Sequence, residues 1–132
     1  MSTQPSTSSK PQYLMLIRGT VWQKNLSASE IENHLTRFTA WIQRLRSEGK
    51  AMLGFPLEHE GKLIAGKNLI TDGPFIESKE AIAGLIFIHA ESFEEAARIV
   101  SNAPCLEYGQ TIELRPVSAE PPELQIARKK RS

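Results

Sequence analysis

Apolar positions along the chain change period several times, and each change marks an element. Tyr13-Leu14-Met15-Leu16-Ile17 is a continuous apolar run of strand length, read as a buried strand. The segment GTVWQKNL is a loop. Beyond it Ile31, Leu35, Phe38, Trp41, Ile42 and Leu45 recur at helical spacing. At about 100° per residue they fall within one stripe. Ser27 and Ser29 are the candidate N-caps, and Ser27 has Glu30 at capping-box spacing. Gly49 stops the helix. Ala51 to Phe55 reads as a second strand, and Glu60-Gly61 as a weak hairpin turn. Lys62 to Ala65 and Asn68 to Thr71 then form the return strand, broken at Gly66. Ala81 to Ala90 is a strongly apolar strand. Ser92 caps a second helix carrying Phe93, Ala96, Ala97, Ile99 and Val100, which Pro104 stops. In the last strand, Gln110 to Val117, the residues Thr111, Glu113 and Arg115 oppose Ile112 and Leu114.

The order β-α-β-β-(turn)-β-α-β predicts an α+β fold. Two helices lie on one face of an antiparallel sheet in the split-βαβ, ferredoxin-like arrangement. The other sheet face then keeps apolar residues that need a cover. A second copy is the simplest cover, because two-fold association needs one self-complementary patch. A homodimer with facing sheets is therefore expected.

Composition marks the limits of this domain. Residues 1–11 are Ser, Thr, Pro, Gln and Lys with little to bury, and read as a disordered tail. Residues 118–132 carry paired prolines and a basic end, and read as a flexible basic tail. The domain is thus 12–117, with no clear internal repeat. Sixteen basic against fifteen acidic residues leave a charge of +1. Nucleic acid and anionic membrane are accordingly not expected as partners. One cysteine forms no intrachain disulfide and suits a reducing cytosol. No apolar run approaches the ~20 residues of a membrane span, and the N-terminal stretch lacks the apolar core of a signal peptide. A cytoplasmic location is expected.

The candidate chemistry centres on Thr71-Asp72-Gly73-Pro74-Phe75, followed by Glu77-Ser78-Lys79-Glu80. Gly73 tolerates positive φ, Pro74 fixes its own φ, and Asp72 can bond the backbone two residues on. Such a turn holds a carboxylate rigidly at a strand end, as a turn brace, a ligand group or both. Five segments, RLRSEGKAMLGFPL, EGKLIAGKN, TDGPFIESKE, AIAGLIFI and YGQTIELRPV, together resemble the DGPF branch of the YCII-related family. The resemblance covers about residues 12–117. It implies a dimeric α/β-barrel with a ferredoxin-like fold. It also implies an acid-base site built from a His and an Asp, acting on small aromatic or lactone-type molecules. Asp72 matches the Asp of DGPF. The family histidine, counted back from the glycine that ends the helix, falls on Phe38 here. His34 sits one turn earlier and is the candidate in its place, being about 60° from Ile31 on the helix. The alternative for His34 is a boundary histidine with a wet ring.

Other residues complete the expected site. Arg18 and Arg115 each end a strand, as ion-pair partners of Asp72, Glu77 or Glu113 or as grips for an anionic substrate. Trp22, in the loop before the first helix, walls a pocket or packs at the dimer contact. Phe75 of the DGPF turn is a further ligand contact. His59 between Glu58 and Glu60 reads as a charged, solvated loop, since adjacent residues of an extended chain point apart. His89 reads as core margin, and Cys105 as a structural thiol. No metal-binding spacing occurs, and no cofactor or metal is expected. Two function classes follow. One is a cofactor-free acid-base enzyme acting on a small carbonyl or aromatic molecule, with Asp72 in its pocket. The other is a non-catalytic ligand-binding or regulatory module. The resemblance adds to the second a possible role as partner of an extracytoplasmic function sigma factor.

Overall fold

The first helix begins where the sequence places its cap. The structure, a computed structural model, describes residues 10–72 and 81–131, and for residues 69, 71 and 72 the backbone only. Helix α1 spans Ala28–Ser47. The Ser27 hydroxyl accepts from the Glu30 N–H at 3.2 Å, and the Glu30 carboxylate accepts from the Ser27 N–H at 2.8 Å. This closes the capping box and satisfies two N–H groups that the helix cannot. At the other end Gly49 has φ 73°, which lets the Lys50 N–H turn back onto the Leu45 carbonyl at 2.8 Å. Arg44 and Arg46 in the last turn suit the negative end of the helix dipole.

Four strands form the main sheet: β1 (Gln12–Arg18), β2 (Ala51–Pro56), β5 (Ile82–His89) and β6 (Thr111–Pro116). Their order is β2-β5-β1-β6, antiparallel throughout. This is the expected α+β, ferredoxin-like topology. Helix α2 (Phe93–Val100), capped by Ser92, packs against β1 and β6 and buries Ala96 and Val100 in the core. Tyr13, Met15 and Ile17 of β1 and Ile86 and Ile88 of β5 are buried with Trp41, Ile42 and Leu45 of α1. The alternate residues pair in register, Leu14 with Phe87 and Leu16 with Leu85, and are only half-buried. The face away from the helices is therefore apolar and incompletely covered.

The middle of the chain departs from expectation. Strand β3 (Lys62–Gly66) does not return along β2. It pairs with β4 (Leu69–Asp72) in a separate two-stranded hairpin. The register runs from Lys62↔Asp72 to Gly66↔Leu69, so the turn is at Lys67-Asn68 and not at Glu60-Gly61. The break read at Gly66 inside one strand is thus the approach to a full reversal. A Gly-Lys-Asn sequence between two apolar stretches supplies that turn. Pro104 also acts differently. Helix α2 has already ended at Val100, and Pro104 opens a short 3-10 turn, Pro104–Tyr108, ended by Gly109. Residues Pro122–Arg131 of the C-terminal tail form helix α3, with no buried residue. An ion pair of 2.6 Å joins Arg128 in its last turn to Glu120, which precedes the helix. The DGPF segment beyond Asp72 lies outside the described residues.

Candidate functional site

Among the buried residues of α1, one is ionisable: His34, 2% exposed. Its burial follows from helical geometry. At about 100° per residue, positions 34, 41 and 45 lie within about 20° of one line. Trp41 and Leu45 are core residues. Measured from them instead of from Ile31, His34 sits in the middle of the apolar stripe, not at its margin. Leu35, expected in the stripe, is instead 48% exposed.

Aromatic rings enclose the His34 imidazole. Tyr108 lies 4.3 Å away between ring centroids, Trp22 meets it edge-on at 4.8 Å, and Phe38 lies at 6.2 Å. The Nδ1 atom is buried and has no hydrogen-bond partner among the described residues. Burial lowers the His34 pKa below its ordinary value. Nearby Arg37 lowers it further, and Glu107 opposes in part. The ring is therefore neutral at pH 7, with one nitrogen able to accept a proton. Arg37 and Glu107 are themselves paired through both carboxylate oxygens, at 3.2 and 2.8 Å. That pairing holds the Glu107 carboxyl below the usual carboxylate range.

His34 lines a cavity of about 470 Å3 between α1 and the β2–β5 side of the sheet. Along the helix the wall continues through Phe38, Ile42 and Gln43 to Arg46. Gly54 to Leu57 and Ala83 to Ile86 form the sheet side, and Trp22, His59 and Gln110 border it. The loop that carries Trp22 is fixed at its base. The Gln110 amide donates to the Gly19 carbonyl at 2.8 Å, and the Gly19 N–H donates to the Ala81 carbonyl at 2.8 Å. Gly19 has φ 112°, a conformation that side chains disfavour. On the sheet side β2 and β5 approach closely. A Cβ at Gly54 would stand 2.7 Å from Ile86 Cγ1, and one at Gly84 would stand 3.1 Å from the Phe55 carbonyl oxygen. Arg46 is held at its place by an Nε–H bond to the Met52 carbonyl, 3.0 Å.

The expected site residues are distributed unevenly about this cavity. His34 and Trp22 come together in it. Arg18 lies at the end of β1 with its Nη2 2.6 Å from Glu113 Oε1, and Arg115 lies 3.5 Å from the same carboxylate. Neither arginine lines the cavity. Their pairing with Glu113, one of the partners expected, lowers the pKa of that carboxyl. Asp72 stands at the end of β4, opposite Lys62. Its side chain, and all of Phe75, lie outside the described residues. Cys105 is buried, and its thiol is pushed up to about 11 by desolvation, consistent with a structural role. His89 has a buried Nε2 without a hydrogen-bond partner among the described residues.

Sequence reasoning passed over Arg46, Gln43 and His59 as cavity residues. His59 lies exposed on a loop, as expected, and also borders the cavity. A glycine inside a strand, Gly54, was the available signal of close backbone approach at this wall. Among the described residues no group of three or more His, Cys, Asp or Glu could hold a metal ion. No described helix is long and apolar enough to cross a membrane.

Comparison with known proteins fits this architecture. Residues 13–120 match the YCII-related domain. The chain belongs to the YCII-related family. No curated protein matches it. Among solved structures, this YCII-related chain is similar to 5-chloro-2-hydroxyhydroquinone dehydrochlorinase from Burkholderia phenoliruptrix AC1100, in complex with 2,5-dihydroxybenzoquinone. The two share 17% identity with a TM-score of 0.50, over 83% of this chain and 95% of the other. At that identity the likeness concerns the fold.

Proposed function

We propose that this YCII-related protein is a small-molecule enzyme that moves a proton on a carbonyl or aromatic compound, with His34 as its base. The carrying observation is a neutral, buried imidazole in the wall of a cavity of about 470 Å3, its Nδ1 without a partner among the described residues. A cavity of that size, apolar and aromatic with few polar groups, suits a small organic ligand. A lowered pKa leaves the imidazole free to accept a proton at neutral pH, as a general base must. The fold relative carries a dihydroxybenzoquinone, which supports a hydroxylated ring as the first ligand to try. Asp72 remains the proposed carboxylate of the pair, since it matches the family motif at the end of β4.

Deuterium exchange in D2O tests this reading. A panel of hydroxyquinones and enolisable ketones is incubated with protein and followed by proton NMR. The expected result is catalysed loss of an acidic C–H signal, abolished in His34→Phe and weakened in Asp72→Asn with both variants still folded. Exchange undiminished in His34→Phe refutes the assignment. One observation favours a second reading, a binding module without chemistry. Among the described residues, Nδ1 of His34 has no orienting hydrogen bond of the kind a catalytic histidine uses. Ligands that shift the Trp22 indole signal without any exchange would select that reading.

A further inference from the structure

The cavity is longer than one ring, and its two ends differ in charge. His34 and Arg46 both line it from the same helix. At about 1.5 Å rise per residue, the interval from 34 to 46 separates their Cα atoms by roughly 18 Å. Side chains on one helix lean alike toward its N-terminus, so imidazole and guanidinium stay farther apart than a single benzene ring covers. Phe38 and Ile42 line the interval with apolar surface. Arg46 supplies the charge. Its Nε–H is bonded to the Met52 carbonyl, which fixes the plane of the fork beside β2. Among the described residues no Asp or Glu lines the cavity, and Arg46 is its one permanent charge. A guanidinium held this way binds carboxylate or another planar anion through paired N–H groups.

We infer that the cavity takes an elongated apolar anion, its head against His34 and Trp22 and its anionic group on Arg46. This rests on the reading of the cavity as a small-molecule site and names the ligand class that the site selects. Arg46 sets specificity and binding, and takes no part in the proton transfer. The apolar interval measures ligand length, so a short aromatic acid reaches only one end.

Three probes test this on the full chain by NMR titration: 6-phenylhexanoate, its carboxamide, and benzoate. Shifts are read at the Trp22 indole N–H and the Arg46 Nε–H. The expected result is that 6-phenylhexanoate shifts both signals and binds at least tenfold tighter than either other probe. Arg46→Gln should erase the preference for acid over amide, and Arg46→Lys should restore part of it. A thermal melt of each variant checks that the fold is kept. Equal binding of acid and amide, with shifts at Trp22, overturns the anion inference and leaves the proposed function standing. So does an acid preference that persists in Arg46→Gln. Benzoate binding as tightly as 6-phenylhexanoate overturns the length argument. Absence of any shift at Trp22 with all three probes overturns the inference together with the small-molecule reading of the cavity.

Discussion

Replacing Gly54 by alanine probes how tightly the sheet wall of the cavity is built. The new Cβ would stand 2.7 Å from Ile86 Cγ1, 3.3 Å from Ile86 Cβ and 3.1 Å from the Leu85 carbonyl oxygen. Optimal carbon–carbon separation is about 3.5–4.0 Å, so the first contact is deep in the repulsive wall. Neither neighbour yields easily. Ile86 is 5% exposed and packed in the core, and the Leu85 backbone belongs to β5, a central strand of the sheet. Overpacking of this kind costs roughly 1–3 kcal/mol. Reduced freedom of the unfolded chain returns about 0.4–1 kcal/mol. The net expectation is a loss of about 1.3 kcal/mol, the difference of the two midpoints. Urea unfolding reads it as a lower midpoint with unchanged slope. In an Ile86→Ala background the 2.7 Å contact no longer exists, so the same substitution should cost less. The difference is a coupling energy from a double-mutant cycle. An unchanged midpoint in Gly54→Ala, or zero coupling, refutes the close approach of β2 and β5 and with it the shape of this wall.

Two further outcomes are expected. The lowered His34 pKa means that the unfolded chain takes up a proton which the folded chain refuses. Its contribution is therefore present above the unfolded value, about 6.5, and is lost as pH falls from there through the lowered folded value. Urea midpoints of wild type should fall between pH 7.5 and 5.5 more than those of His34→Phe, whereas the paired carboxylates Glu107 and Glu113 act only below about 4.5. Equal pH dependence in both proteins would exclude His34 as the source. The half-buried face carrying Leu14, Leu16, Leu85 and Phe87 is proposed as a two-fold contact. Sedimentation equilibrium should give twice the mass of one chain, and Leu16→Glu should reduce it to one, while a monomeric wild type removes the proposal.

The fold was readable because its signals are local and mutually consistent. The cap at Ser27, the stop at Gly49 and the apolar strand Ala81 to Ala90 each carry their own chemistry. The hairpin was not readable in the same way. Leu63, Ile64 and Ile70 are apolar yet exposed, so their pattern suggested a strand joining the main sheet where the chain instead folds on itself. Strand pairing depends on which partner is within reach, and periodicity does not encode that. His34 shows how a choice of reference matters. The helical angle was legible, but Ile31 lies at the edge of the stripe while Trp41 and Leu45 define its centre. Arg46 is a different case. A basic residue in the last turn of a helix has a sufficient explanation in the helix dipole, and only the folded structure shows Arg46 in the cavity wall. Cys105 was legible from its apolar setting, and its raised pKa agrees.

The hairpin β3–β4 has a consequence for where Asp72 can be. Its two strands form a sheet of their own, apart from the four-stranded one. A lone two-stranded hairpin is marginally stable in water, and its opening is decoupled from that of the main sheet. Hydrogen exchange of Lys62 to Asp72 is thus governed by a local equilibrium, and that of Met15 or Ile88 by global unfolding. The motif carboxylate is mounted on the cheapest element to open, and the histidine on one of the costliest. Their separation is then a thermodynamic variable, which a ligand bridging them would fix by its own binding energy.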